Sequence, residues 1–211
     1  IEQAKNSKVK HFLFASTSSV YGNSKNFPLD ENENTDKPLS FYAATKKSNE
    51  VMAYSYSNIY KLPSTALRFF TVYGPYGRPD MALNIFTDSF INYKQIKLHN
   101  KGNHIRDFTY VEDIVFSIAQ LINKPPLGKV PFEVYNLASS NPKKLTVFLD
   151  TILKNLNIKK IKIKNLKMQI GDVFKTHANT DKISKKINYK SKISIEVGIK
   201  RFIEWYKSYY K

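Results

Sequence analysis

Tyr42 and Lys46 lie four residues apart in the stretch FYAATKK, and a helix-patterned run, SNEVMAYSYSNIY, follows. On a helix that spacing puts both side chains on one face. A free phenol titrates near ~10, too high to serve readily as a base at neutral pH. A neighbouring ammonium favours the phenolate and brings that value down. Such a pair could take a proton from an alcohol. By itself, Tyr-x-x-x-Lys also arises by chance on solvated helix surfaces, so the argument turns on what else converges there.

Three hydroxyls, Thr17, Ser18 and Ser19, follow the apolar run KHFLFAS. If that run is a strand of a parallel sheet, they stand at its carboxyl end, where such sheets meet their ligands. Thr71 closes a second apolar run, STALRFFTV. A Ser/Thr loop that only caps itself is the ordinary alternative. Hydroxyls at two strand ends flanking a Tyr/Lys helix are a rarer combination.

The arginines carry a separate signal. Of 34 basic residues only Arg68, Arg78, Arg106 and Arg201 are arginine. Where lysine serves almost everywhere, an arginine suggests a need for a planar fork matched to carboxylate or phosphate. Arg78 lies in the turn cluster YGPYGRP and Arg106 in IRDFTY, with Asp80 and Asp107 beside them as structural partners if the forks serve only the fold. Arg68 sits inside a strand as a structural bridge, and Arg201 faces solvent from the last helix.

These residues need a frame. Residues 10–16 read as a buried strand, 42–60 as a helix and 64–72 as a second buried strand, together a right-handed parallel βαβ unit. Helices are expected near 83–93, 145–156 and 195–210, with a short strand and loop at 95–110 and a strand near 130–138. Thr109 and Glu112 have the spacing of a capping box opening the helix VEDIVFSIAQLI. The alternating stretch IKKIKIK, 158–164, reads as a strand with a wet, edge-protecting face. Gly74 and Gly77, among prolines, read as turn residues. The fold class is therefore α/β, a parallel sheet covered on both faces. No G-x-G-x-x-G turn for a dinucleotide is present.

Composition narrows the partners. The chain has 211 residues, 42% of them apolar, and a formal net charge of +17. That charge comes mostly from dispersed lysine, without the grouped arginine forks and aromatic platforms of nucleic-acid sites. A small anionic substrate is the better expectation. There is no cysteine, and His11, His99, His104 and His177 show no ligand spacing, so no metal is expected. No apolar run approaches the ~20 residues of a bilayer span.

The set STSSVYG, YAATKK, LRFFTVYGPYGRPDMA and RDFTYVEDI resembles the extended short-chain dehydrogenase/reductases that modify nucleotide sugars, and among them the UDP-glucuronate 4-epimerase branch. The resemblance runs along nearly the whole chain. It implies the C-terminal portion of a Rossmann-type sheet plus a smaller α/β sugar-nucleotide region, with an upstream part, carrying the glycine-rich NAD turn, absent. It assigns residues 1–78 and 111–138 to the NAD-binding domain and 79–110 and 139–211 to the sugar-nucleotide domain.

By motif, Tyr42 is implied as general base, and Lys46 as the cation that tunes it and holds the nicotinamide ribose. Thr17 would bridge the sugar O4 and the tyrosine, and Phe70 would lie near the nicotinamide. Ser18, Thr71 and Arg78 would hold a substrate carboxylate, with Ser19 beside them. Arg106 would meet the diphosphate, and Asp172, with backbone near Ala82 and Leu98, the uridine end. The implied reaction is C4 epimerisation with NAD through a 4-keto sugar. Related dehydratases carry Asp–Glu, and related decarboxylases an acid, where this chain has Ser18 and Ser19, which favours epimerisation. Decarboxylation, and epimerisation of a neutral UDP-sugar, remain the alternatives, with a basic nucleic-acid module behind them. A UDP-sugar substrate, a cytoplasmic location, no membrane, no nucleic acid and a homodimer formed through a helix pair that includes 42–60 are the further implications. The resemblance also implies that these 211 residues alone are inactive. Relatives read QPGDVP where this chain has Gln169, Ile170, Gly171, Asp172, Val173 and Phe174, so two prolines that would stiffen the loop are gone.

Overall fold

The computed structural model describes residues 1–169 and 171–210; Ile170, one of the replaced prolines, lies outside the described residues. The elements run α1 (Glu2–Asn6), β1 (Phe12–Thr17), α2 (Phe41–Tyr60), β2 (Ser64–Phe69), β3 (Thr71–Tyr73), α3 (Ala82–Ile91), β4 (Ile96–His99), β5 (Ile105–Arg106), β6 (Phe108–Tyr110) and α4 (Val111–Ile122). They continue as β7 (Phe132–Leu137), β8 (Lys143–Lys144), α5 (Leu145–Leu156), β9 (Ile163–Leu166), α6 (Asp181–Ile187) and α7 (Ile195–Tyr209).

β1, β2 and β7 form a parallel sheet in the order β1-β2-β7. Residues alternate between its faces. Leu67, Tyr135 and Leu137 pack with Ile114 and Leu121 of α4 and with Ile183 and Ile187 of α6. The opposite face receives α2. Its buried residues are Ala43, Glu50, Ala53 and Ser57, small but for one, so the helix lies close to the strands. Ser40 caps it, its hydroxyl accepting from the Ala43 amide at 3.1 Å. Lys61, left-handed at φ 56°, and the Pro63 that follows end it.

The single long side chain α2 buries against the sheet explains its placement. In register across the sheet stand Ser16, Arg68 and Asn136, a polar row in a buried face. Arg68 donates to Glu50 from Nε at 2.9 Å and from Nη2 at 2.8 Å, a bidentate fork, and to the Tyr21 hydroxyl at 3.0 Å. The Ser16 hydroxyl also donates to Glu50, and the Tyr21 hydroxyl donates to Asn136 Oδ1 at 2.7 Å. Burial works against the Arg68 charge, but the Glu50 fork holds the guanidinium protonated above its ordinary range.

A second core gathers β3, β6, α3, α5 and α7 around Tyr73, Phe90, Tyr110, Phe148, Ile199 and Phe202. β3 pairs parallel with β6, β4 parallel with β9, and β5 antiparallel with β8. Gly198 lets α7 approach: a Cβ there would come 2.3 Å from the Tyr73 hydroxyl and 2.8 Å from the Tyr110 ring.

Three expectations are corrected. The run 64–72 is not one strand, because the chain leaves the sheet at Phe70 and Thr71–Tyr73 pairs with β6 instead. The strand expected at 158–164 begins at Ile163 and ends at Leu166, its register fixed by pairing with β4. The capping box does not form. Thr109 Oγ1 accepts from the Ser139 amide at 2.9 Å, and Glu112 pairs with Arg201, so tertiary partners claim both ends of the motif. Tyr110 is the N-cap, and its side chain makes no capping bond.

Glu50→Ala would leave the Arg68 charge buried and unpaired. It should cost about 3–5 kcal/mol of stability. Replacing both partners together, Glu50→Leu with Arg68→Met, should cost much less. Urea unfolding midpoints of the two variants check this, and equal losses would contradict it.

Candidate active site

α2 runs antiparallel to the strands it covers. Its first turns lie at their carboxyl ends, where the Lys46 ammonium donates to the Ala15 carbonyl of β1 at 3.1 Å. Its last turns lie at their amino ends, where the Tyr54 ring meets Phe132, with ring centroids 5.6 Å apart. Tyr42, one turn before Lys46, is thus carried to the carboxyl edge of the sheet. It is 53% exposed, and its hydroxyl has no partner among the described residues. The ammonium is committed to the end of β1, so the structure uses Lys46 both to fasten the helix and to place a positive charge at that edge.

The hydroxyl cluster is built differently from a free relay. Thr17 caps a short 3-10 turn over Ser18–Tyr21: its Oγ1 accepts from the Ser19 amide and donates to the Ser19 hydroxyl, both at 3.2 Å. That turn packs against α2. Thr17 is buried, and Ser18 and Ser19 are half-buried. Phe70 is buried where β2 ends, its ring tilted against Tyr21.

A cavity of about 610 Å³ lies between α3, β4, β5 and the residues Gln169 and Asp172. Thr71, Ala82, Leu98, Arg106 and Asp172 all line it, together with Asp80 and His104. Five positions widely separated in sequence are thereby brought to one space. Ile85, Phe86, Ile96 and Leu98 make its walls by α3 and β4 partly apolar, with Ser89, Lys97 and His99 among them, and Arg106 of β5 and Asp172 supply further charge.

Arg106 donates to Asp172 Oδ1 at 2.8 Å and to the carbonyls of Ile105 and Phe174 at 3.1 and 3.2 Å. Burial pulls its pKa down, opposed by the Asp172 carboxylate. The structural partner expected from the sequence was Asp107. That residue is instead fully buried and accepts from the Ser139 hydroxyl at 2.7 Å and the Ala178 amide at 3.0 Å. Burial raises its pKa. The bonds to Asp172 and to the Phe174 carbonyl also tie Arg106 to two residues of the segment that lacks its relatives' prolines.

Arg78 is exposed and forks onto Asp80, with Nε donating to Oδ1 at 3.0 Å. Its pKa is raised by that bond and by the Asp80 charge. All four arginines are engaged with carboxylates: Arg68 with Glu50, Arg78 with Asp80, Arg106 with Asp172 and Arg201 with Glu112.

Sequence reasoning missed two residues here. Asn84, on α3, donates to the carbonyls of Gly77 and Arg78 at 3.3 and 3.0 Å, and so holds the turn that presents Arg78. His104 is the other. Neither belongs to a spacing pattern, so no local signal could have flagged them. Among the described residues no helix is long and apolar enough to cross a membrane.

Comparison with known proteins places this geometry in context. The model of the NAD dependent epimerase/dehydratase family matches residues 1–138. The chain is 42% identical over 225 residues to protein CapI of Staphylococcus aureus, covering all of this chain and 67% of that protein. It is 41% identical over 226 residues to a probable UDP-glucuronate 4-epimerase of Rhizobium meliloti, covering all of this chain and 66% of that one. Among solved structures, UDP-glucuronic acid 4-epimerase from Bacillus cereus, in complex with UDP-glucuronic acid and NAD, superposes with a TM-score of 0.91 at 29% identity. That match covers 99% of this chain and 65% of the other. The chain thus spans about two thirds of the length of these proteins.

Asn84→Ala should release the turn at 76–80. Amide exchange there should speed up while the exchange of β2 and β7 stays unchanged. Unaltered exchange at 76–80 would show that the prolines and Asp80 hold the turn without Asn84.

Proposed function

The chain belongs to the NAD dependent epimerase/dehydratase family, and from that premise we propose that it carries the acid–base and substrate-holding side of an enzyme that inverts C4 of UDP-glucuronate to give UDP-galacturonate. Two observations support this most: Thr71, Ala82, Leu98, Arg106 and Asp172 line one cavity, and an exposed Tyr42 stands with Lys46 at the carboxyl ends of the sheet strands. On this reading residues 1–78 and 111–138 face the cofactor, and 79–110 and 139–211 hold the sugar nucleotide.

The residues present fit one end of NAD. Tyr42, the Lys46 ammonium and the buried ring of Phe70 lie where a nicotinamide and its ribose would be received. Among the described residues no glycine-rich strand-to-helix turn meets a pyrophosphate. Bound NAD supplies the hydride acceptor and donor at C4. Tyr42 takes the proton from the C4 hydroxyl as the 4-keto sugar forms, and returns it after the sugar has turned over. Thr17 donates to the same oxygen once its proton turns from the Ser19 hydroxyl.

The 4-keto sugar acid is a β-keto acid and loses carbon dioxide readily, so the carboxylate must be held. Arg78, with Thr71, Ser18 and Ser19, does this, the substrate carboxylate replacing Asp80 on the exposed fork. Arg106 takes the diphosphate, and Asp172, with the backbone at Ala82 and Leu98, the uridine end. No carboxyl group stands at positions 18 and 19 to promote decarboxylation or loss of water. Solved relatives at 26–28% identity include epimerases of UDP-glucose and UDP-N-acetylglucosamine, so a neutral sugar is the second reading. We place the reaction in the cytoplasm, with a UDP-sugar as partner and neither nucleic acid nor membrane. The exposed apolar residues of α2, Phe41, Val51, Met52 and Ile59, supply a surface for a homodimer.

In the polypeptide as the cell makes it, Tyr42→Phe should lower turnover of UDP-glucuronate at least ~100-fold with substrate affinity retained. Product analysis should give UDP-galacturonate and not UDP-xylose. Arg78→Ala should weaken UDP-glucuronate selectively. A variant that turns over UDP-glucose as its main substrate, as the unaltered enzyme also does, would move the assignment to neutral sugars. The 211 residues alone should bind UDP without turnover.

A further inference from the structure

The turn that carries Arg78 leaves β3 after Tyr73 and enters α3 at Ala82. On one side its backbone is held by Asn84, which donates to the carbonyls of Gly77 and Arg78. On the other side it meets α7 through aromatic rings. The Tyr76 ring centroid lies 5.0 Å from that of Trp205, tilted, and 5.8 Å from that of Tyr209, edge-on. Trp205 and Tyr209, both of α7, stack on each other at 5.1 Å. Trp205 in turn lies 5.4 Å from the ring of Phe202, which is fully buried in the second core. A row of rings thus runs from that core out to the turn.

Burial does not explain the tyrosine at its end. Tyr76 is 77% exposed, and its backbone is left-handed at φ 58°. That conformation crowds a Cβ against the backbone, a cost that glycine escapes. A residue chosen only for such a turn would be glycine or asparagine. The ring is therefore what position 76 supplies. Tilted and edge-on aromatic pairs have preferred geometries, so the contact sets direction as well as distance. Two residues further on stands Arg78, exposed, its fork resting on Asp80 in the cavity wall. An exposed arginine has little packing to hold it, and where its fork can reach depends on where the turn places its backbone.

Resting on the reading of Arg78 as the fork for the substrate carboxylate, we infer that Tyr76 is a positioning residue. Its ring, seated on Trp205 and Tyr209, fixes the turn that presents Arg78, so that the choice of an acidic sugar over a neutral one depends on α7.

Calorimetric titration of the intact polypeptide with UDP-glucuronate and with UDP-glucose tests this, with Tyr42→Phe present throughout to stop turnover. Tyr76→Gly removes the ring and suits the left-handed backbone, so the fold should lose little. It should weaken UDP-glucuronate about tenfold, roughly the entropy of one backbone residue newly ordered on binding, and leave UDP-glucose unchanged. Tyr76→Phe keeps the ring and should bind both sugars as its parent does. Tyr209→Ala removes the partner ring and should act in the same direction as Tyr76→Gly. The two changes together should weaken UDP-glucuronate less than the product of their separate effects, because they break one shared contact. A Tyr76→Gly variant that loses affinity for both sugars alike, or for neither, overturns the inference. So does a Tyr76→Phe variant as weak as Tyr76→Gly, or a double variant whose losses simply multiply. Arg78→Ala tests the reading beneath. If the preference for UDP-glucuronate survives that change, Arg78 does not hold the carboxylate and both fall; if it is lost while Tyr76→Gly keeps it, only the role of Tyr76 falls.

Discussion

The buried fork between Arg68 and Glu50 is the contact from which the geometry of the candidate site follows. It crosses from the middle strand to the covering helix, within a buried polar row that also holds Ser16, Asn136 and the Tyr21 hydroxyl. Two charges removed from water tolerate little error, because a misplaced partner leaves an ion unpaired in a low-dielectric interior. The fork therefore does what apolar contact alone would do loosely: it sets the rotation and height of α2 against the sheet. Glu50 lies one turn beyond Lys46 and two beyond Tyr42. Fixing it carries Lys46 to the end of β1 and Tyr42 past that end. Ser16, bonded to the same carboxylate, ties in the strand that leads to Thr17, Ser18 and Ser19.

Charge is arranged differently around the cavity. Arg106 and Arg78 each rest on an aspartate, and each of those pairs is at least partly open to an incoming anion. An anionic ligand would compete with Asp172 and Asp80 for forks that are already oriented. The cost of ordering the arginines has been met before the ligand arrives.

Local pattern carried the regular elements well. The helices at Phe41–Tyr60, Leu145–Leu156 and Ile195–Tyr209 and the strands at Phe12–Thr17 and Phe132–Leu137 were legible, since each has a periodic apolar face or a compact apolar run. Legibility failed wherever a partner distant in sequence made the decision. The run after Ser64 has no local mark at Phe70 to show that it changes sheets. Thr109 and Glu112 have capping-box spacing, yet Ser139 and Arg201 compete successfully for them. The β9 register depends on β4, some 67 residues earlier in the pairing of Ile96 with Ile163.

By itself the sequence determined the α/β class, the family signatures around Tyr42, Thr17, Arg78 and Arg106, and the choice of residue types able to move a proton and grip an anion. These are properties of composition and short-range order, and they survive without coordinates. Only the tertiary structure decided which carboxylate each arginine meets, and that Asp107 serves the fold while Asp172 faces the cavity. Such outcomes depend on which groups share a small buried volume, and no spacing along the chain encodes that.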